Sequence, residues 1–287
     1  MKAIATINFK GGVGKTTITW LLAKYIAEKE NKKVLVFDTD AQMSLTLAVI
    51  LQENGDMYGE FDQWYENTHK AKQRTILDSM DKYDKNIGGP FDFPIDFKFI
   101  YNFSENLHFV PSVVDLYWLE LDVFDREKVK GFVNALLGKI KNSKLHYDYV
   151  FFDCPPNFTP LSYSVLSSVD HILIPINPDV FAARGIRLMI DGLVSRIAPW
   201  KAPSMSVFLN KAKVRQNKLT QESNKYLQEA KRVTSISSKN DIKIETYDCF
   251  IPERVDIKRA IPTRKFPMEF EDSFRILYNN IKKNLGE

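Results

Sequence analysis

Lys10-Gly11-Gly12-Val13-Gly14-Lys15-Thr16-Thr17 is the stretch that decides how this 287-residue chain folds. Glycines at 11, 12 and 14 let the backbone curl so that successive N–H groups point inward at a chain of phosphates. A helix opening at this loop adds the partial positive charge of its N-terminus. Lys15 is then placed to reach β- and γ-phosphates, and the Thr16 hydroxyl to ligate Mg²⁺. The strict pattern G-x-x-x-x-G-K-[ST] requires glycine at position 9, where Phe9 stands. The motif is a variant of the P-loop, with a second lysine, Lys10, directly before the glycines.

Outward from the loop, residues 3–8 form an apolar run read as a buried strand. Ile18, Leu21, Leu22, Tyr25 and Ile26 recur at helical spacing over 16–29, and 33–37 is a second apolar run. Strand, loop, helix and strand within 40 residues make a βαβ unit with a parallel pair. Strands follow at 107–110, 149–152, 171–176 and 206–209, with helices at 125–141 and 180–197. This alternation predicts an α/β fold: a doubly wound, mostly parallel sheet with helices on both faces. Ligands of such sheets bind at the carboxyl ends of the strands. Asp38, Asp40, Asp153 and Asn210 are expected just past strand ends, converging on the glycine loop. The chain reads as one domain, 1–287, elaborated by an insertion at about 53–106, where a helix is expected over 74–80.

Hydrophobic residues make up 44% and charged residues 26%, and the net charge is +4. Residues 201–287 hold 18 Lys/Arg and 11 Asp/Glu, against 22 and 25 in residues 1–200. The basic part is therefore the last third, suited to an acidic partner. Cys154 and Cys249 have no metal-ligand or disulfide spacing, which fits a reducing cytoplasm. No run approaches 18 consecutive apolar residues, and the N-terminus is not expected to be a signal peptide, because Met1-Lys2 runs straight into an apolar strand with no cleavage-type region. The stripe Phe270, Phe274, Leu277, Ile281 and Leu285 fits a helix packed on the protein's own core rather than on lipid.

The loop with its extra lysine resembles the deviant Walker A motif of the ParA/MinD family of P-loop ATPases. Asp38-Thr39-Asp40-Ala41-Gln42 is similar to that family's switch I, with Ala41 in place of proline and Met43-Ser44 in place of the common Gly-Asn. Val150-Phe151-Phe152-Asp153-Cys154-Pro155-Pro156 resembles its Walker B and switch II segment. Val110-Pro111-Ser112, Ile174-Pro175-Ile176 and Ile251-Pro252-Glu253-Arg254-Val255 match weaker family segments. The resemblance implies ATP and Mg²⁺ as cofactors. Gly11, Gly12, Val13, Gly14, Lys15, Thr16 and Thr17 would hold the phosphates, and Asn210 and Pro252 the base. Thr16, Asp38 and Asp153 would serve the metal. Lys10, Lys15 and Asp40 would be catalytic, with Lys10 reaching across an ATP-sandwich homodimer and Asp40 activating water.

ParA-like members bind DNA non-specifically in the ATP state and release it when a partner protein of the ParB type triggers hydrolysis. That implies a cytoplasmic, nucleoid-associated protein that partitions DNA, with Arg215, Lys218, Lys258 and Arg259 as candidate DNA contacts. Lys211 and Lys213 belong to the same basic cluster. The alternatives are a MinD-like membrane-associated positioning ATPase and an ATP-gated binding module with little hydrolysis. A small-molecule kinase or synthetase on the same fold is a further option. An iron-protein reductase would need mid-chain cluster cysteines that this sequence lacks.

Overall fold

A computed structural model describes residues 1–50, 62–69, 75–84, 97, 99–121, 126–197, 203–216, 218–237, 243–254, 257, 260–261, 263 and 265–287. Among the described residues, eight strands form one sheet in the order β10-β7-β6-β1-β5-β2-β4-β3. They are β1 (Lys2–Thr6), β2 (Val34–Asp38), β3 (Tyr101–Asn102), β4 (Leu107–Val110), β5 (Tyr149–Asp153), β6 (His171–Ile176), β7 (Ser204–Ala212) and β10 (Ile244–Pro252). All neighbours pair in parallel except the edge strand β3, which runs antiparallel to β4. Strands β8 (Val214–Arg215) and β9 (Lys218–Leu219) make a separate antiparallel hairpin.

The helices are α1 (Lys15–Lys29), α2 (Ser44–Ile50), α3 (Ile76–Asp84), α4 (Arg126–Lys141), α5 (Pro160–Ser168), α6 (Val180–Ile197), α7 (Gln221–Ser237) and α8 (Glu271–Leu285). The strict side-chain alternation of the strands divides the core in two. Ala3, Ala5, Leu35, Phe37, Val150 and Phe152 face one layer, with α4, α5, α6 and α7. Ile4, Val34, Val36, Tyr149 and Phe151 face the other, with α1 and α8. Helices on both faces of a mostly parallel sheet are the architecture the sequence predicts. Each inner strand is buried on both sides, which is why β2 and β5 read as unbroken apolar runs.

Several boundaries differ from expectation. Asp38 and Asp153 are the last residues of their strands, not loop residues beyond them, and Asn210 lies inside β7. The strand pairing simply continues until the carboxylates. The helix expected over 74–80 runs over Ile76–Asp84, and Arg74 lies outside the described residues. The predicted C-terminal stripe is core: Phe270, Phe274, Leu277, Ile281 and Leu285 are all buried. None of the described helices is long and apolar enough to cross a membrane.

One buried charge joins distant parts of the chain. Lys24, fully buried on α1, donates to the carbonyls of Ala260 (3.2 Å), Ile261 (3.3 Å) and Thr263. Trp20, one turn earlier, donates from Nε1 to Ile261 O at 2.9 Å. An ammonium has three donors and no acceptor, so three carbonyls satisfy it. Burial lowers its pKa to about 8, with Glu28 opposing.

Candidate nucleotide site

β1 is central in the sheet, and the glycine loop connects its carboxyl end to α1. Gly12 and Gly14 adopt φ of 72° and 90°, the left-handed region that side chains rarely enter. Gly14 is constrained twice over, because a Cβ there would lie 2.4 Å from Asn210 Nδ2. It is also the N-cap of α1, and no side chain caps the helix, which suits the first-turn N–H groups to an anion.

A cleft of about 340 Å³ opens over this loop. Its walls are Gly11, Gly12, Gly14, Lys15, Thr16 and Thr17 from the loop, Asp40, Gln42 and Ser44 after β2, Pro156 after β5, Asn210 and Lys211 on β7, and Pro252 and Ile257. Among the sequence-derived candidates, Lys10, Val13, Asp38 and Asp153 do not line it. Val13 is buried, its carbonyl accepting from Asn210 Nδ2 at 2.7 Å. That bond uses one of the two Nδ2 donors and fixes which way the amide is turned, with Oδ1 able to accept from a base.

The acids beneath the cleft sit side by side, since Asp38 and Asp153 are registered partners on β2 and β5. Asp38 is fully buried. Its Oδ2 accepts from Thr46 N (2.8 Å) and Thr46 Oγ1 (2.7 Å), and its Oδ1 from Asp40 N (3.1 Å). Those bonds make it a brace for the loop that carries Asp40. Burial raises its pKa to about 7, against the pull of the Thr46 bonds. Burial and then the neighbouring Asp38 push Asp153 well above the usual carboxylate range, opposed by a Thr16 hydrogen bond and Lys15. Lys15 is lowered by burial, with Asp153 and Asp40 opposing.

Asp40 is held from several sides. Its main-chain carbonyl accepts from Ser112 Oγ (2.7 Å) and Met43 N (2.9 Å), and its Oδ1 from Gln42 N (2.9 Å). Ser112 N also donates to Thr46 Oγ1 at 2.8 Å, and Gln42 Nε2 donates to the Tyr117 hydroxyl. Met43 bends the chain at φ 57°, a left-handed turn that glycine makes freely and methionine makes at a cost of roughly 1–2 kcal/mol.

Lys10 points elsewhere. Its Nζ lies 2.5 Å from Asp179 Oδ2, in the connection between β6 and α6. Phe9 and Phe158, each about two-fifths exposed, meet edge to face at 5.9 Å beside it. Of the basic candidates, Arg215 and Lys218 are exposed and directly opposed in the β8–β9 hairpin, so they share a face. Lys258 and Arg259 lie outside the described residues. Sequence reasoning missed Asp179, Thr46, Tyr117 and the place of Lys211 in the cleft. Only the Asn177-Pro178-Asp179 turn carried a local signal.

The residues present fit Mg²⁺. The described residues hold no cluster of three or more His, Cys, Asp or Glu able to form an all-protein cage. A hydroxyl (Thr16) hydrogen-bonded to a carboxylate (Asp153) beside a phosphate loop is instead the hard-oxygen set of a cation shared with phosphates.

A parallel sheet with a glycine loop at its carboxyl edge, an invading lysine and paired strand-end acids defines a P-loop nucleotide-binding protein. A family model described as AAA domain, AAA_31, matches residues 1–198. A ParA family protein of Chlamydia trachomatis serovar D is 30% identical over 208 residues, covering 68% of each chain. The chromosome-partitioning ATPase Soj of Treponema pallidum is 25% identical over 190 residues. That match spans 66% of this chain and 62% of the Soj chain, less than two thirds of the latter. In fold, the chain is similar to Cyanothece McdA solved as an ATP complex, with TM-score 0.71, 18% identity, and coverage of 100% of this chain and 96% of that one. The chain belongs to the ParA family of P-loop ATPases.

Proposed function

We propose that the chain is a Mg²⁺-dependent ATPase that forms a homodimer around ATP and partitions DNA by non-specific, ATP-dependent binding. The observation that carries this reading is the convergence of the glycine loop, Lys15, Thr16 and Asp40 in one cleft, above the Asp38–Asp153 pair. Bound Mg²⁺ would neutralise phosphate charge, held through Thr16 and Asp153. Lys15 draws the β- and γ-phosphates to the loop, and Asp40 orients the attacking water. Asn210, with Pro252, would hold the base. Lys10, with the exposed Phe9–Phe158 pair beside it, lies on the surface a second protomer would cover. Arg215 and Lys218 supply part of a phosphate-binding face. A ParB-like protein would trigger turnover, in the cytoplasm on the nucleoid.

The test is binding to non-specific duplex DNA, with and without ATP, across a salt series, with anionic liposomes in parallel. ATP-dependent, steeply salt-dependent binding to DNA alone is expected. Binding to liposomes alone would transfer the chain to the MinD-like class, a result the burial of the α8 stripe argues against. The left-handed Met43 in the switch loop favours one second reading, an ATP-gated binder of slow turnover. Phosphate release measured with and without DNA separates it from a working ATPase.

A further inference from the structure

Two consecutive residues of β7 grip two consecutive carbonyls of the glycine loop. Asn210 Nδ2 donates to Val13 O, and Lys211 Nζ donates to Gly12 O. We infer that this clamp pre-organises the phosphate-binding loop, and that Lys211 is a positioning residue of the nucleotide site rather than a nucleic-acid contact. The inference rests on reading the cleft as a nucleotide pocket.

In a trans peptide the C=O and the following N–H point in opposite directions. A cation fixing the Gly12 carbonyl on the β7 side therefore turns the Val13 N–H the other way. An amide fixing the Val13 carbonyl does the same for the Gly14 N–H. With Gly12 and Gly14 both at positive φ, these peptides are the part of the loop with most conformational freedom, and they are the ones held. Loop N–H groups that are already aligned need no reordering when phosphates arrive, which strengthens binding.

Lys211 is shaped for this task. Residues i and i+2 of a regular strand share a face, which would pair Lys211 with Lys213. Lys211 instead takes φ 54°, which breaks the alternation and brings its side chain back across the loop. Lys211 lines the cleft. Lys213 stays outside it, 3.7 Å from Glu222 on α7, in an exposed ion pair.

The experiment measures dissociation constants for ATP, ADP and adenosine by calorimetry or competition in wild type, Lys211→Ala, Lys211→Arg and Lys213→Ala. Urea midpoints check that each variant is folded. Lys211→Ala should weaken ATP and ADP about tenfold, the scale of one hydrogen bond to a charged group, and leave adenosine unchanged. Lys211→Arg should recover most of the loss, and Lys213→Ala should match wild type. With ATP saturating, the salt slope of DNA binding by Lys211→Ala should equal that of wild type.

Wild-type ATP affinity in Lys211→Ala overturns the clamp, as does an equal loss for adenosine. A salt slope reduced by about one would assign Lys211 to DNA and overturn it as well. If the wild-type chain binds no ATP at all, the nucleotide reading falls first. If wild type binds and Lys211→Ala binds equally, only the clamp falls.

Discussion

Lys10 Nζ lies 2.5 Å from Asp179 Oδ2, so the lysine that marks the variant P-loop is tied to the β6–α6 connection of its own chain. An ion pair within one protomer competes with any contact Lys10 makes to the phosphates of another. The Lys10 side chain is 44% exposed and that of Asp179 is 32% exposed, so the pair is worth no more than about 1 kcal/mol.

Two such pairs are given up per dimer, so Asp179→Asn should favour the ATP-bound dimer by no more than about thirtyfold. Sedimentation velocity over an ATP titration measures it. Lys10→Ala should bind ATP and stay monomeric in the same assay. A Lys10→Ala protein that dimerises and turns over normally would remove the lysine from the mechanism.

Asp40→Ala should retain ATP and lose turnover by about 10²- to 10⁴-fold, the usual worth of a positioned general base. Single-turnover phosphate release gives the rate. The bonds from Ser112 and Met43 go to the Asp40 main chain, so the loop keeps its path in the variant. Rapid hydrolysis by Asp40→Ala would transfer the role to another group.

Gly14→Ala should weaken ATP binding about ten- to hundredfold, because the new methyl meets Asn210 Nδ2 and the backbone must hold φ 90°. Adding Asn210→Ala removes the collision but not the dihedral strain, and it also costs the Asn210 bond to Val13 O, so the reference is Asn210→Ala alone. In that background Gly14→Ala should still weaken ATP, by less than it does in wild type, as read by calorimetry on folded protein. No further loss in that background would show that the collision alone matters.

His171 should contribute to the acid limb of stability. Its ring nitrogens lie 2.7 Å from the hydroxyls of Ser204 and Ser206, and burial, with Lys243 adding to it, lowers its pKa from 6.5 to about 3. Below pH 6.5 the unfolded chain takes up a proton that the folded chain refuses. Stability should fall as pH drops from about 6.5 toward 3, by roughly 2–3 kcal/mol at pH 4.5. His171→Asn should flatten that portion of a urea-midpoint profile against pH. An unchanged slope would assign the acid sensitivity to other groups.

The βαβ unit around the loop was legible because its signals are local. Glycines impose the turn, helical spacing marks α1, and inner strands buried on both faces show as apolar runs. The α8 stripe was legible for the same reason. β10 was not, since Glu245 and Asp248 interrupt its apolar pattern. At the site, the loop residues, Asp40, Asn210 and Pro252 were brought together as the motifs implied. The seat of Asp38 was not readable, because an acid at the end of a strand looks alike whether it faces a ligand or a threonine eight residues on. Asp179 and Lys211 were hidden for a related reason. Their partners are 169 and 199 residues away, and no local pattern encodes such distances.

The buried Lys24 gives α1 a mechanical character. The helix is anchored at its first turn by the phosphate loop and, nine residues later, by the carbonyls of 260, 261 and 263. At 1.5 Å per residue the two anchorages stand about 14 Å apart along a rigid rod. A tilt imposed at the phosphate end would therefore reach residues 260, 261 and 263 with little slack. The P-loop helix is in this sense a crank between the nucleotide and the basic last third of the sequence.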